Sequence, residues 1–192
     1  MLQRYPNIQH AIINDVNQDL TTCYCTVRDH PEELINSLSN IEKEYLSLPS
    51  EEERRSYFMN YRDHYNEKNL DPIENTTLFI FLNRTCFNGL YRVNKKGLFN
   101  VPFGKYKNPT ICDAITIRKD SDVLKRVEIL SGDFEDTFNS AEGNTLFYFD
   151  PPYRPLSDTS SFNDYTKDSF NDDSQVRLKK YCDRINQAGY KF

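Results

Sequence analysis

No long apolar run occurs in this chain. The longest, Leu78-Phe79-Ile80-Phe81-Leu82, is far short of the roughly 20 residues a helix needs to span a bilayer, so no membrane partner is expected. The first residues, Met1-Leu2-Gln3-Arg4-Tyr5-Pro6, contain no apolar signal core. The five cysteines (Cys23, Cys25, Cys86, Cys112 and Cys182) are odd in number and scattered, with no Cys-x-x-Cys pair. That spacing argues against a disulfide scaffold and a structural zinc site, and predicts small packed hydrophobes in a reducing, cytoplasmic setting. No metal is expected. All six glycines lie at Gly89 or later, and no repeat of solenoid period is visible.

Acidic residues are missing from one stretch. With 24 Lys+Arg against 29 Asp+Glu the chain carries −5 overall, which taken alone argues against a nucleic-acid partner. Between Asn75 and Cys112, however, there is no Asp or Glu, while Arg84, Arg92, Lys95, Lys96, Lys105 and Lys107 contribute +6; the remainder then carries −11. A basic island within an acidic chain is a localised electrostatic footprint. At 192 residues, 38% hydrophobic and 28% charged, the chain has enough material for one compact domain, or one domain with an insertion.

Three short apolar runs each deliver a carboxylate just past their end. Ala11-Ile12-Ile13 stops at Asn14-Asp15; Val127-Glu128-Ile129-Leu130 at Ser131-Gly132-Asp133-Phe134; Thr145-Leu146-Phe147-Tyr148-Phe149 at Asp150-Pro151-Pro152-Tyr153. Buried strands with ligand-binding groups beyond their carboxyl ends predict an open α/β sheet. Between the first two runs the pattern is helical. Pro31 with Glu32 and Glu33 opens one helix, Ser50 with Glu53 a second through about Glu67, and Asp71-Pro72 with Glu74 a third. Leu90–Val93 and Leu98–Val101 around Asn94-Lys95-Lys96-Gly97 predict a hairpin with Gly97 at positive φ. A last helix is expected over 171–188, stopped by Gly189, with Tyr190-Lys191-Phe192 entering another strand.

Asp150-Pro151-Pro152-Tyr153 carries the most chemistry. Prolines supply no N–H, so the carbonyls beside them are rigidly held free acceptors. A carboxylate, a fixed carbonyl and an aromatic ring suit an exocyclic amine: two acceptors take its two N–H groups while the ring stacks on the attached base. Positioning and preorganised acceptors are the expected catalytic contributions. The plainer alternative is a proline-rich turn after a buried strand.

This tetrapeptide resembles the catalytic motif of amino-group DNA methyltransferases. Phe81-Leu82-Asn83-Arg84, Phe87-Asn88-Gly89-Leu90-Tyr91-Arg92 and Gly97-Leu98-Phe99-Asn100-Val101-Pro102-Phe103-Gly104 are similar to the DNA adenine methylase branch, whose members methylate adenine N6 within GATC. The likeness runs from about Ile12 to the end of the chain. It implies a partial Rossmann-like sheet, with residues 1–30 and 113–192 forming the S-adenosylmethionine-dependent catalytic part. Residues 31–112 would be an inserted helical and β-hairpin recognition domain for double-stranded DNA, and a cognate restriction endonuclease is an admissible partner. By resemblance, Asp15 would hold the cofactor's ribose hydroxyls, and Asp133 and Phe134 would lie beside its adenine. Asp150 and the Pro151 carbonyl would accept from the target amine, Pro152 would complete the rigid turn, and Tyr153 would stack on the base. Asn88 and Leu90 would enter DNA, and Arg92 would read a guanine edge. Lys95, Lys96, Lys105 and Lys107 would neutralise phosphates, and the polar loop with Ser157, Ser161, Phe162, Asn163 and Tyr165 would either order over a flipped base or serve as a solvated linker. Asp15 and Asp133 can equally be helix N-caps, and Arg92 a phosphate contact.

The chain departs from the family at both ends. No Phe-x-Gly-x-Gly loop precedes Asp15, and the family's strands after Gly189 have no counterpart. In the family's sheet the missing first strand lies between those ending at Asp15 and Asp150. An internal portion of an adenine-N6 methyltransferase, inactive alone, is therefore expected. The competing expectations are a non-catalytic DNA-binding remnant or one part of a split enzyme, and an RNA or protein methyltransferase.

Overall fold

The computed structural model describes residues 4, 5, 7–152 and 170–192. Two strands, β1 (Ala11–Asp15) and β2 (Val127–Ser131), pair in parallel in the register Ala11↔Val127 to Asp15↔Ser131. Both readings of these strands from the sequence hold. Parallel strands need a crossover, and here the connection is all of 16–126, which contains five α-helices, α1 (Gln18–Asp29), α2 (Pro31–Ser47), α3 (Glu51–Tyr65), α4 (Pro72–Thr85) and α5 (Ala114–Leu124), with a short 3-10 turn and the hairpin between α4 and α5. A 3-10 helix (Phe134–Ser140) follows β2, and α6 (Asp172–Gln187) is the last helix of the described residues.

Helix starts follow local chemistry. The Ser50 hydroxyl accepts from the Glu53 amide at 3.1 Å while the Glu53 carboxylate accepts from the Ser50 amide at 3.1 Å, closing the expected capping box. Asp71 accepts from the Ile73 and Glu74 amides, with Pro72 in the first turn of α4. Asn171 caps α6, and Gly189 follows that helix at φ 84°. Two helices have no counterpart in the reading of the sequence: α1, capped by Asn17, and α5, capped by Asp113. Three of the four residues buried along α1 are Thr21, Thr26 and Cys23, so its inner face does not stand out as an apolar stripe.

The third expected strand is corrected. Residues 145–149 form no ladder with β1 or β2; a single parallel bridge joins Leu146 to Lys191, with the Phe147 amide donating to the Lys191 carbonyl at 2.8 Å. The alternation itself is present. Phe147 and Phe149 pack inward with Tyr181, while Leu146 and Tyr148 face outward at 62% and 84% exposure. A strand requires a neighbour for its backbone groups, and among the described residues the outer edge of β1 is also unpaired. The hairpin is likewise reduced to one antiparallel bridge, Val93↔Phe99, around a turn with Gly97 at φ 75°.

One hydrophobic core runs through both sides of the boundaries expected at residues 31 and 112. Val127 of β2, Val27 of α1, Leu34 and Leu38 of α2, Phe58 and Tyr65 of α3, Phe81 of α4, Ile117 of α5, and Phe99 and Val101 of the hairpin belong to it. Phe81 lies at its centre, meeting Tyr45, Tyr57, Phe58 and Tyr61 at ring separations of 5.7 to 6.5 Å. A smaller cluster gathers Phe147, Tyr181 and Ile185 with Phe134, Phe138 and Phe149. Cys23 and Cys86 are packed hydrophobes, as expected, and burial pushes their thiols up to about 12 and about 11. Among the described residues, no helix is long and apolar enough to cross a membrane.

Phe81→Ala should leave a large void that four neighbouring rings cannot close. A loss of about 3–5 kcal/mol is expected, measured by urea denaturation; a loss below about 1 kcal/mol would contradict this placement of the core.

Candidate functional site

The parallel register brings the carboxyl ends of β1 and β2 together. At that end the Asn14 Nδ2 donates to the carbonyls of Gly132 and Asp133 at 3.0 and 3.2 Å, and the Gly132 amide donates to the Asp15 carbonyl at 3.2 Å. Asp15 and Asp133, separated by more than a hundred residues in the chain, thus flank one seam. The Asn14 Oδ1 is buried there without a partner, an acceptor with unused capacity beside both carboxylates.

Each of these carboxylates also has a local role. Asp15 Oδ1 accepts from the Asn17 amide at 2.7 Å. Asp133 Oδ1 accepts from the Glu135 amide at 3.0 Å and caps the 3-10 helix, so the capping alternative is realised at Asp133. The Arg177 guanidinium of α6 donates to Asp133 and Glu135, both at 2.9 Å, and lies 5.1 Å from the centre of the Phe134 ring. Phe134 also meets Tyr181 at 5.5 Å.

Tyr181 links this seam to the third carboxylate. Its ring lies 5.8 Å from Phe149, and its hydroxyl pairs with Thr137 at 2.9 Å. Asp150, exposed, directly follows Phe149, and Pro151 and Pro152 are half-buried behind it. Among the described residues, no hydrogen bond or ion pair joins Asp150 to Asp15 or Asp133. Tyr153, Ser157, Ser161, Phe162, Asn163 and Tyr165 lie outside the described residues.

The basic island runs from the end of α4 towards α5. At the end of α4, Cys86 bridges to Phe103, the Phe87 amide donates to the Pro102 carbonyl at 2.8 Å, and the Gly104 amide donates to the Thr85 carbonyl at 2.8 Å. The turn that follows α4 holds Asn88 at φ 54° and runs on to Leu90. Lys95, Lys96, Lys105 and Lys107 are all exposed. Lys105 pairs with Glu51 at 2.6 Å, a solvent-exposed contact of the weak kind that another anion can displace. Arg92 is half-buried, its Nε and Nη2 donating to the Asn100 side chain and carbonyl at 2.8 and 3.2 Å.

Several residues here were not singled out from the sequence. Phe87, at 51% exposure, stands beside Leu90 at 49%, an exposed apolar pair within the acid-free stretch. Asp19, in the first turn of α1, accepts from Lys68 Nζ at 2.7 Å, the Tyr91 hydroxyl at 3.3 Å and Asn75 Nδ2 at 3.4 Å. Burial opposes its charge, but the Lys68 ammonium, the neighbouring Tyr65 hydroxyl and Asn75 outweigh that and hold its carboxyl below the usual value. The spacing Asp15-x-Asn17-x-Asp19 was a visible signal: an Asx residue before a helix start. Arg177 and Tyr181 gave no local signal, since their partners lie more than thirty residues away. Among the described residues, no group of acidic, His or Cys side chains could hold a metal ion.

Residues 2–192 match the family model described as D12 class N6 adenine-specific DNA methyltransferase. The Type II methyltransferase M.MjaIII of Methanocaldococcus jannaschii is 47% identical over 193 residues, covering 100% of this chain and 66% of that protein. The Type II methyltransferase M1.LlaDCHI of Lactococcus lactis subsp. cremoris is 39% identical over 186 residues, 94% of this chain and 63% of that protein. The DNA adenine methylase of Escherichia coli strain K12 is 31% identical over 174 residues, 91% of this chain and 60% of that protein. The chain therefore spans about two thirds or less of the length of these relatives.

Gly104 has no room for a side chain. A Cβ there would collide with the Cys86 carbonyl oxygen and lie 2.6 Å from its carbonyl carbon. Gly104→Ala should therefore part the zipper between residues 85–87 and 102–104, costing about 2 kcal/mol or more. Amide exchange at Phe87 and Gly104 reads this directly; unchanged protection would refute the packing.

Proposed function

The chain belongs to the D12 class of N6 adenine-specific DNA methyltransferases, and from that membership we propose that the whole protein transfers a methyl group from S-adenosylmethionine to adenine N6 in duplex DNA, at a GATC-like site. The observation that carries this reading is the convergence of Asp15 with Asp133 across the β1–β2 seam, joined through Phe134 and Tyr181 to the Phe149–Pro152 segment.

The seam suits the nucleoside half of the cofactor. Ribose hydroxyls and an adenine amine are donors, and Asp15, Asp133 and the orphaned Asn14 Oδ1 are acceptors. When bound, S-adenosylmethionine supplies an electrophilic methyl group on its sulfonium. The chain's own contribution is to hold the attacking nitrogen. The N6 lone pair of adenine is delocalised into the ring, and acceptors aimed at its two N–H groups oppose that delocalisation. Asp150 and the Pro151 carbonyl are proposed as those acceptors, with Pro152 stiffening the turn and Tyr153 stacking on the base. Because N6 lies inside the stacked duplex, the base must be flipped out, at a cost of a few kcal/mol.

Residues 31–112 are proposed to carry target recognition. Lys95, Lys96, Lys105 and Lys107 would neutralise phosphates, while Asn88, Leu90 and the exposed Phe87 would press into the stack. Arg92 would read a guanine edge by exchanging Asn100 for base acceptors. A cognate restriction endonuclease would be its functional partner, and the cytoplasm its compartment.

The 192-residue chain alone is proposed to bind DNA without methylating it. Lys95, Lys96, Lys105 and Lys107 are exposed, whereas no glycine precedes Asp15 and the outer edge of β1 carries no described neighbour. Calorimetric titration with S-adenosylmethionine, together with tritiated-methyl incorporation into a GATC duplex, should show neither micromolar binding nor transfer. Both occurring together would overturn the proposal of inactivity, and in the whole protein Asp150→Ala should abolish transfer. Arg92→Ala should cost about 1–3 kcal/mol in duplex affinity, confined to one base-pair position. An equal loss on every duplex would reduce Arg92 to a phosphate contact.

A further inference from the structure

Hydrogen bonds run without a break from the carboxyl end of β1 to the first arm of the hairpin. The Asn17 amide donates to Asp15 Oδ1 at 2.7 Å, the Asp19 amide donates to Asn17 Oδ1 at 3.0 Å, and the Tyr91 hydroxyl donates to Asp19 Oδ2 at 3.3 Å. Asp19 is the junction. Its side chain is only 18% exposed, and Lys68 and Asn75 reach it from the segments following α3 and within α4. An anionic carboxylate offers acceptor sites only, which is what three converging donors require.

The far end of this chain of bonds sits between two residues of the proposed DNA surface. The Tyr91 ring is wedged against Phe79 at 5.4 Å and Phe99 at 6.0 Å, with its hydroxyl directed to Asp19. In extended backbone successive side chains point to opposite faces. Holding Tyr91 inward therefore turns Leu90 and Arg92 to the other face, where Leu90 is exposed and Arg92 is half-buried against Asn100.

We propose that Asp19 is a positioning residue that locks the hairpin, through the Tyr91 hydroxyl, to the carboxyl end of β1, so that the DNA-reading segment and Asp15 are held as one unit. This rests on the function proposed above only for what the lock serves. The lock itself is a property of the chain. Neither residue touches a reacting atom; both act through the side chains they orient.

Hydrogen exchange over residues 90–100, measured on the chain without DNA, tests the lock. Tyr91→Phe keeps the ring and removes the hydroxyl, Asp19→Asn keeps the shape and puts a donor where an acceptor is needed, and the double variant reports their dependence. Exchange is expected to rise about 3- to 10-fold in each variant and no further in the double, as for one shared hydrogen bond. Duplex DNA affinity should fall in the same non-additive pattern while exchange in α2 stays unchanged. Hairpin exchange indifferent to Tyr91→Phe, or additive losses in the double variant, would overturn the lock, and Tyr91→Phe serves this test even if Asp19→Asn fails to fold. If exchange responds as expected but the unsubstituted chain binds no duplex, the lock stands and the DNA reading is what fails.

Discussion

Parallel pairing between β1 and β2 is the constraint on which the site depends. Because both strands run the same way, the loops that leave them emerge at one end, and Asp15 and Asp133 meet there although the whole helical region separates them in the chain. The register matters as much as the direction. A slip of one residue would turn Ile13 and Ile129 off the core face and carry Asn14 away from the two carbonyls it clamps. Asn14 fixes that register by hydrogen bonding, a constraint that buried apolar side chains alone supply less sharply.

The five-helix crossover is more than a connection. Its core is continuous with the sheet, from Val127 and Val27 to Phe81, Phe99 and Val101. A hairpin of one bridge would be marginal alone. Here it is held by Phe99 and Val101 buried in that core, by Asn66, whose side chain both donates to the Phe99 carbonyl and accepts from its amide, and by the Asp19 junction. The acid-free composition of residues 75–112 then has a structural meaning. Thr85–Phe87 and Pro102–Gly104 zip together, bringing two segments of that stretch side by side, and its lysines are exposed, as are Phe87 and Leu90.

Side chains from α6 close the other flank. Tyr181 gathers Phe134, Phe138, Phe147 and Phe149 around one ring, and Arg177 covers Phe134 while bonding Asp133. This aromatic packing substitutes for the ladder that residues 145–149 do not form. It keeps Phe149, and so Asp150, tied to the seam by side chains where backbone pairing was expected.

Signals carried by a few adjacent residues were legible in the sequence. Ser50 with Glu53, Asp71 with Pro72, Asn171, Gly97 and the two apolar runs at Ala11 and Val127 each act through contacts within four residues or through simple burial, and the elements they mark are where they were expected. The Asp-Pro-Pro motif and the acid-free stretch pointed to chemistry and partner class for the same reason: composition at one place suffices to define an acceptor or a charge. Helix α1 and the extent of the 145–149 segment were not legible, since one buries threonine and cysteine and the other depends on a neighbouring edge. The meeting of Asp15 with Asp133, the reach of Arg177 to Phe134 and the bond from Tyr91 to Asp19 were decided by tertiary structure alone. Each joins side chains tens of residues apart, and no local propensity sets the distance between two such points until the core between them has packed.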